Sequence, residues 1–138
     1  MNRIAELRKV RDDINRLTKL ERRLSQPLLQ NLGMVRNLYE VYKNAITRQM
    51  GDPYDTDNRK KFLYAIIYCF SPTTLVGDAM RHRLRETVSS VIGCTNTGVS
   101  RDYKTAQFFY DTYREFREST NLIIKEILTV TGIHENIS

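Results

Sequence analysis

The stretch LRETVSSVIGCTNTGVSRDYKTAQFFY, residues 84–110, decides how this chain is read. Two helical patterns meet in it at Gly93. Before the glycine, Met80, Leu84, Val88, Val91 and Ile92 recur at spacings of three and four, which predicts a helix over 79–92 with Asp78 as its cap. After it, Val99, Tyr103, Ala106, Tyr110 and Tyr113 recur at alternating spacings of four and three, which predicts a helix from near Thr95 to Ser119 or beyond. A glycine between two helices supplies the positive φ that a tight turn needs at little steric cost. Val88, Ile92 and Cys94 on one side, with Val99 and Tyr103 on the other, give the apolar contacts that would lock the two helices together. The expectation is a helix-turn-helix.

Outward from this element the chain reads as helix throughout. "NLIIKEILTV" (121–130) continues or restarts the last helix, and Gly132 closes it. Upstream, Arg59 to Phe70 is nearly all apolar after Lys61, which predicts a central helix, and Ser71-Pro72 opens a short helix to Val76. "GDPYDTDN" (51–58) is the strongest loop signal and the expected boundary. Residues 27–49 carry a core stripe of Leu28, Leu32, Val35, Leu38, Tyr39, Tyr42 and Ile46. Residues 1–25 carry a heptad seam of Leu7, Val10, Ile14, Leu17 and Leu24, interrupted at Glu21, on an otherwise charged helix that needs a partner. No segment alternates with period two for long enough to argue a strand. The expected fold is all-α: an N-terminal helical hairpin or coiled coil, residues 1–50, that serves oligomerisation, then a helix-turn-helix domain, residues 51–138. Homotypic pairing of the first helix and packing back on its own domain are both open.

Composition restricts the function. Hydrophobic residues at 41% suffice for a core, and the formal charge of +6 favours acidic partners. Two cysteines, Cys69 and Cys94, with no CxxC pair, make no disulfide framework. The longest apolar run, "FLYAIIYCF" (62–70), is too short to span a bilayer, and the N-terminus lacks the apolar core of a signal peptide. The expectation is a cytoplasmic protein of a bacterial cell, or one encoded by a phage, without membrane association. His82 and His134 lack ligand partners at metal spacing, and no phosphate-binding glycine motif occurs. Cys94 sits near a helix N-terminus, where a thiol pKa can fall, yet no histidine lies close to it in sequence. Asp52, Asp55 and Asp57 lack the glycine and closing glutamate of a calcium loop, so turn chemistry explains them better. The eight tyrosines sit mostly at core spacing, so packing explains them better than base stacking. The chain reads as no enzyme, with no cofactor and no metal.

The second helix of the motif presents Thr95, Asn96, Thr97, Ser100, Arg101 and Lys104, whose side chains suit bases and phosphates. Arg81 and Arg85, four apart, would share a helix face and meet flanking phosphates, with Arg83 pointing elsewhere. Over 59–116, "VSSVIGCTNTGVSRDYKTAQ" and the preceding "GDAMRHRLRETV" resemble the Trp-repressor-like helix-turn-helix superfamily, which includes the C-terminal DNA-binding domain of the replication initiator DnaA. With the apolar "FLYAIIYCFSP" ahead of it, the segment is also similar to helix-turn-helix proteins of gut Bacteroidetes and their phages. The resemblance implies double-stranded DNA as partner, with the second helix in the major groove and the same six residues, Thr95 to Lys104, in contact. Asp102 and Asp111 depart from a strong DNA reader. The leading expectation is a DNA-binding homo-oligomer, a dimer or higher, acting in transcriptional regulation, replication or phage DNA handling. The alternative is a phage structural or assembly protein whose helices bind other assembly proteins.

Overall fold

The computed structural model describes residues 2–134. It has six α-helices, α1 (Arg3–Leu24), α2 (Val35–Arg48), α3 (Thr56–Phe70), α4 (Leu84–Ile92), α5 (Asn96–Thr112) and α6 (Arg114–Thr131), with 3-10 turns at Leu32–Met34 and Pro72–Val76. No strand occurs among the described residues. No helix of the described residues is long and apolar enough to cross a membrane.

The core is built around α3. Asp55 starts this helix by accepting the amide hydrogens of Asp57 and Asn58, both at 3.1 Å. Every residue from Phe62 to Ile67 is buried, as are Cys69 and Phe70. A helix apolar on all sides must be enclosed on all sides, and α2, α5 and α6 enclose it. Burying each of its large apolar side chains contributes roughly 1.5–3 kcal/mol. The tyrosines serve this core: Tyr39, Tyr42 and Phe62 pack ring against ring, and Tyr64 stacks on Tyr110 at 4.1 Å. The aspartates of 51–58 are used in turns, Asp52 accepting from the Tyr54 amide and Asp55 capping α3.

Three helix boundaries and one packing partner differ from expectation. The helix expected from residue 27 begins at Val35, because Leu28 and Leu29 give their amide hydrogens to the Cys69 carbonyl and so are held out of a helix. The helix expected over 79–92 begins at Leu84. Asp78 caps nothing; Gly77 and Arg83 both adopt positive φ, so residues 78–83 are irregular. The helix expected from near Thr95 to Ser119 or beyond is not continuous: Tyr113, at φ −109° and ψ 116°, breaks it between α5 and α6. Finally, α2 lays its apolar face on α6 and α4 rather than on α1. A hairpin of α1 with α2 is not among the packed helix pairs of the described residues. Helix α1 has no buried residue, and the core begins at Leu29. Residues 135–138 of the expected second segment lie outside the described residues.

Candidate nucleic-acid interface

Helices α4 and α5 are joined by Gly93, Cys94 and Thr95. Gly93 adopts φ +72°, as the sequence required of it. Its amide and that of Cys94 both donate to the Ser89 carbonyl, closing α4. Thr95 then opens α5, its Oγ1 accepting the Gly98 amide hydrogen at 2.9 Å. A second bond crosses the turn: Ser89 Oγ donates to Asn96 Oδ1 at 2.7 Å. Below these polar ties Leu84, Val88, Val99 and Ala106 are fully buried in the common core. The first turns of α5 are therefore fixed to α4 by both packing and hydrogen bonds.

The side chains expected to meet DNA divide accordingly. Thr97, Arg101 and Lys104 are exposed and fall at spacings of four and three, on one face of α5. Ser100 is half-buried beside them. Thr95 and Asn96 are exposed, but their oxygens are already used in the cap and in the bond from Ser89. Arg101 Nε lies 3.4 Å from the carboxylate of its neighbour Asp102. Further along the same face come Phe108 and Asp111, both exposed.

The arginines before α4 are arranged differently from expectation. Residues 81–83 are not helical, so Arg81 and Arg85 do not share a helix face. Arg81 is half-buried, with its Nη1 enclosed and its amide donating to Ser71 Oγ. Only Arg85 of the pair stands free in solvent. Arg83 instead faces Arg36 across a groove of about 540 Å³ between the start of α2 and α4, lined also by Glu86, Thr87 and Ser90. The approach of Arg36 was invisible in sequence, since 47 positions separate it from Arg83.

The charge is distributed unevenly. Residues 84–112 hold Arg85, Arg101 and Lys104 against Glu86, Asp102 and Asp111, a net of zero. Helix α1 holds eight basic and four acidic residues, a net of four of the chain's formal +6. Six of its basic residues, Arg8, Lys9, Arg16, Lys19, Arg22 and Arg23, are exposed on the arc opposite the apolar seam, with Asp12 the one acidic residue among them. The seam itself is bare: Ile4, Leu7, Val10, Ile14, Leu17 and Leu24 are 50–63% exposed.

Chemistry of other kinds finds little support. Cys94 is half-buried, and burial pushes its thiol pKa up rather than down, so its position before α5 does not yield a ready thiolate. No cluster of three or more His, Cys, Asp or Glu side chains that could hold a metal occurs among the described residues. Comparison with protein-family models, with curated proteins and with solved structures gives no match.

Proposed function

We propose that the protein is a non-enzymatic DNA-binding protein in which the α4–turn–α5 element acts as a helix-turn-helix. One observation carries this reading: Thr97, Arg101 and Lys104 form a single exposed face over the first turns of α5, while Gly98, Val99 and Ala106 anchor the opposite face in the core. A helix so held can enter a major groove as a rigid body, its arginine and lysine directed at guanine edges or phosphates. Arg83, Arg85 and Arg36 supply backbone contacts at the flank, and the basic arc of α1 adds sequence-independent attraction.

The test is binding of mixed duplex DNA, followed by fluorescence anisotropy at about 50 and 200 mM salt. An Arg101→Ala, Lys104→Ala double variant is measured in parallel. The expected result is binding that weakens steeply with salt and falls at least about 10-fold in the double variant, whose thermal unfolding is unchanged. A folded protein that ignores DNA at low salt refutes the reading.

A second reading, a structural or assembly protein such as phages use, is favoured by the zero net charge of residues 84–112. On that reading α5 faces protein, and the double variant loses association with assembly partners while nucleic-acid binding is unaltered.

A further inference from the structure

We infer that the seam of α1 is covered by α1 of a second copy of this chain, the two helices lying parallel as a two-stranded coiled coil. This pairing goes beyond the DNA reading and stands without it.

The first observation is that α1 is complete as a helix yet closes no core. Asn2 caps it through its side chain, which accepts the amide hydrogens of Ile4 and Ala5 at 3.0 and 3.2 Å. None of its residues is buried. Its 22 residues extend about 33 Å, three heptads with Leu7, Ile14 and Glu21 at the a positions and Val10, Leu17 and Leu24 at the d positions. Such a stripe fits one companion of the same periodicity. No helix of the described body offers its apolar face, since α2 to α6 turn theirs inward onto one another.

The second observation is charge. In a parallel pair each g residue meets the e residue five positions further along the partner. Glu6 then faces the partner's Arg11, and by symmetry this ion pair forms twice. Asp13 faces Thr18. Turning one helix around so that the leucines still meet places Glu21 against Val10 and Asp13 beside Leu20, two carboxylates on apolar side chains with no compensating pair. The basic arc lies on the far side in either case and stays in solvent.

The third observation is continuity with the body. At its C-terminal end the seam runs into a groove of about 410 Å³, where Leu17, Leu20, Glu21 and Leu24 of α1 face Pro72 and Val76. Val76 is 83% exposed, an apolar side chain without cover beside the end of an apolar stripe. In the parallel arrangement the partner's Leu24 arrives at this end, and the two bodies lie side by side. Arg3 falls at the d position before Val10 and is charged as well; Glu21 is the element of mismatch inside the apolar seam. At its a position it confronts its own copy across the axis, so it weakens the pair while fixing where the leucines lie.

Sedimentation equilibrium on the full chain tests this, with Ile14→Asp, Glu21→Leu and, in a Cys94→Ser background, Val10→Cys. Expected results are a dimer for the unaltered protein at tens of micromolar, and a Kd raised at least about 100-fold by Ile14→Asp with the body's thermal unfolding unmoved. Glu21→Leu is expected to tighten the dimer by about 10-fold or more. Val10→Cys is expected to form an interchain disulfide in air, because parallel pairing brings the two d positions together. An unaltered protein that stays monomeric at about 100 µM, one that forms trimers, or one whose association survives Ile14→Asp overturns the proposal. A dimer that Val10→Cys does not cross-link overturns its parallel sense. DNA binding is read separately, so a dimer that ignores DNA upholds the pairing, whereas a DNA-binding monomer removes it alone.

Discussion

Helices α1 and α3 lie at opposite extremes of one molecule. The longer of them, α1 at 22 residues, buries nothing; α3, at 15, has eight buried residues. Both have clear helix signals and side-chain N-caps, Asn2 and Asp55. What separates them is the distribution of apolar side chains around the axis. From Phe62 to Phe70 they cover the circumference of α3, and the rest of the chain folds around it. In α1 they occupy one stripe, with charge on the other sides, and the body does not bury that stripe. Helical propensity makes the two elements alike, while solvation sends one inside and leaves the other standing off.

The largest effect that would break this contrast is a core truncation. Phe62→Ala should cost about 3–5 kcal/mol in urea unfolding. Ile14→Ala, measured at concentrations where chains are single, should cost less than about 0.5 kcal/mol. Comparable losses would mean that α1 shares the body's core after all.

A smaller effect sharpens the contrast through pH. Tyr42 is buried, and its hydroxyl donates to the Pro53 carbonyl at 2.7 Å. Tyr42→Phe should cost about 1 kcal/mol. Burial raises the pKa of the Tyr42 and Tyr64 hydroxyls above the ordinary value of 10.0. Their contribution to stability is therefore complete below the unfolded-state value and is lost as pH rises above it. Alkali above about pH 10 should loosen the body in a titration followed by tyrosine absorbance. The loss should be shallower in Tyr42→Phe. Helix α1 contains no tyrosine.

The smallest effect has the opposite sign. Met50 follows α2 with φ 63° and is 95% exposed. Its amide donates to the Thr47 carbonyl, and the Gly51 amide to that of Ile46, a closure that favours glycine at the left-handed position. Met50→Gly should stabilise the body by up to about 1 kcal/mol, seen as a higher melting temperature. A decrease would show that the exposed thioether makes a contribution the free chain does not reveal.

The helical class, the central place of α3 and the turn at Gly93 were legible because each depends on local pattern. Continuous apolar sequence cannot tolerate solvent, and a glycine after a helical stripe marks a left-handed residue. The lost boundaries depend on distant partners. Leu28 and Leu29 fit a helical stripe as well as they fit an irregular segment, and it is the Cys69 carbonyl, forty residues on, that decides. The break at Tyr113 carries no glycine or proline. It lies within a cluster of Phe108, Phe109, Tyr113 and Phe116 rings, whose contacts form only once α5 and α6 have folded together. Of the candidate interface, the exposed face of α5 followed from spacing. The diversion of Asn96 to Ser89, the enclosure of Arg81 and the sharing of one groove by Arg36 and Arg83 did not, because each is set by tertiary packing.

The bare seam of α1 has one further consequence, which concerns dose. An arm that adds nothing to the core can move without unfolding the body, so pairing of the proposed kind would be governed by mass action. Dilute chains carry one α5 face and one basic arc each. If the seam pairs as proposed, concentrated chains would carry two of each on a shared stalk, and a second contact with the same ligand would be intramolecular, at an effective concentration of order millimolar. Abundance would then set avidity: a modest rise in the number of copies would convert weak single contacts into a bivalent hold, with no change in the structure of either body.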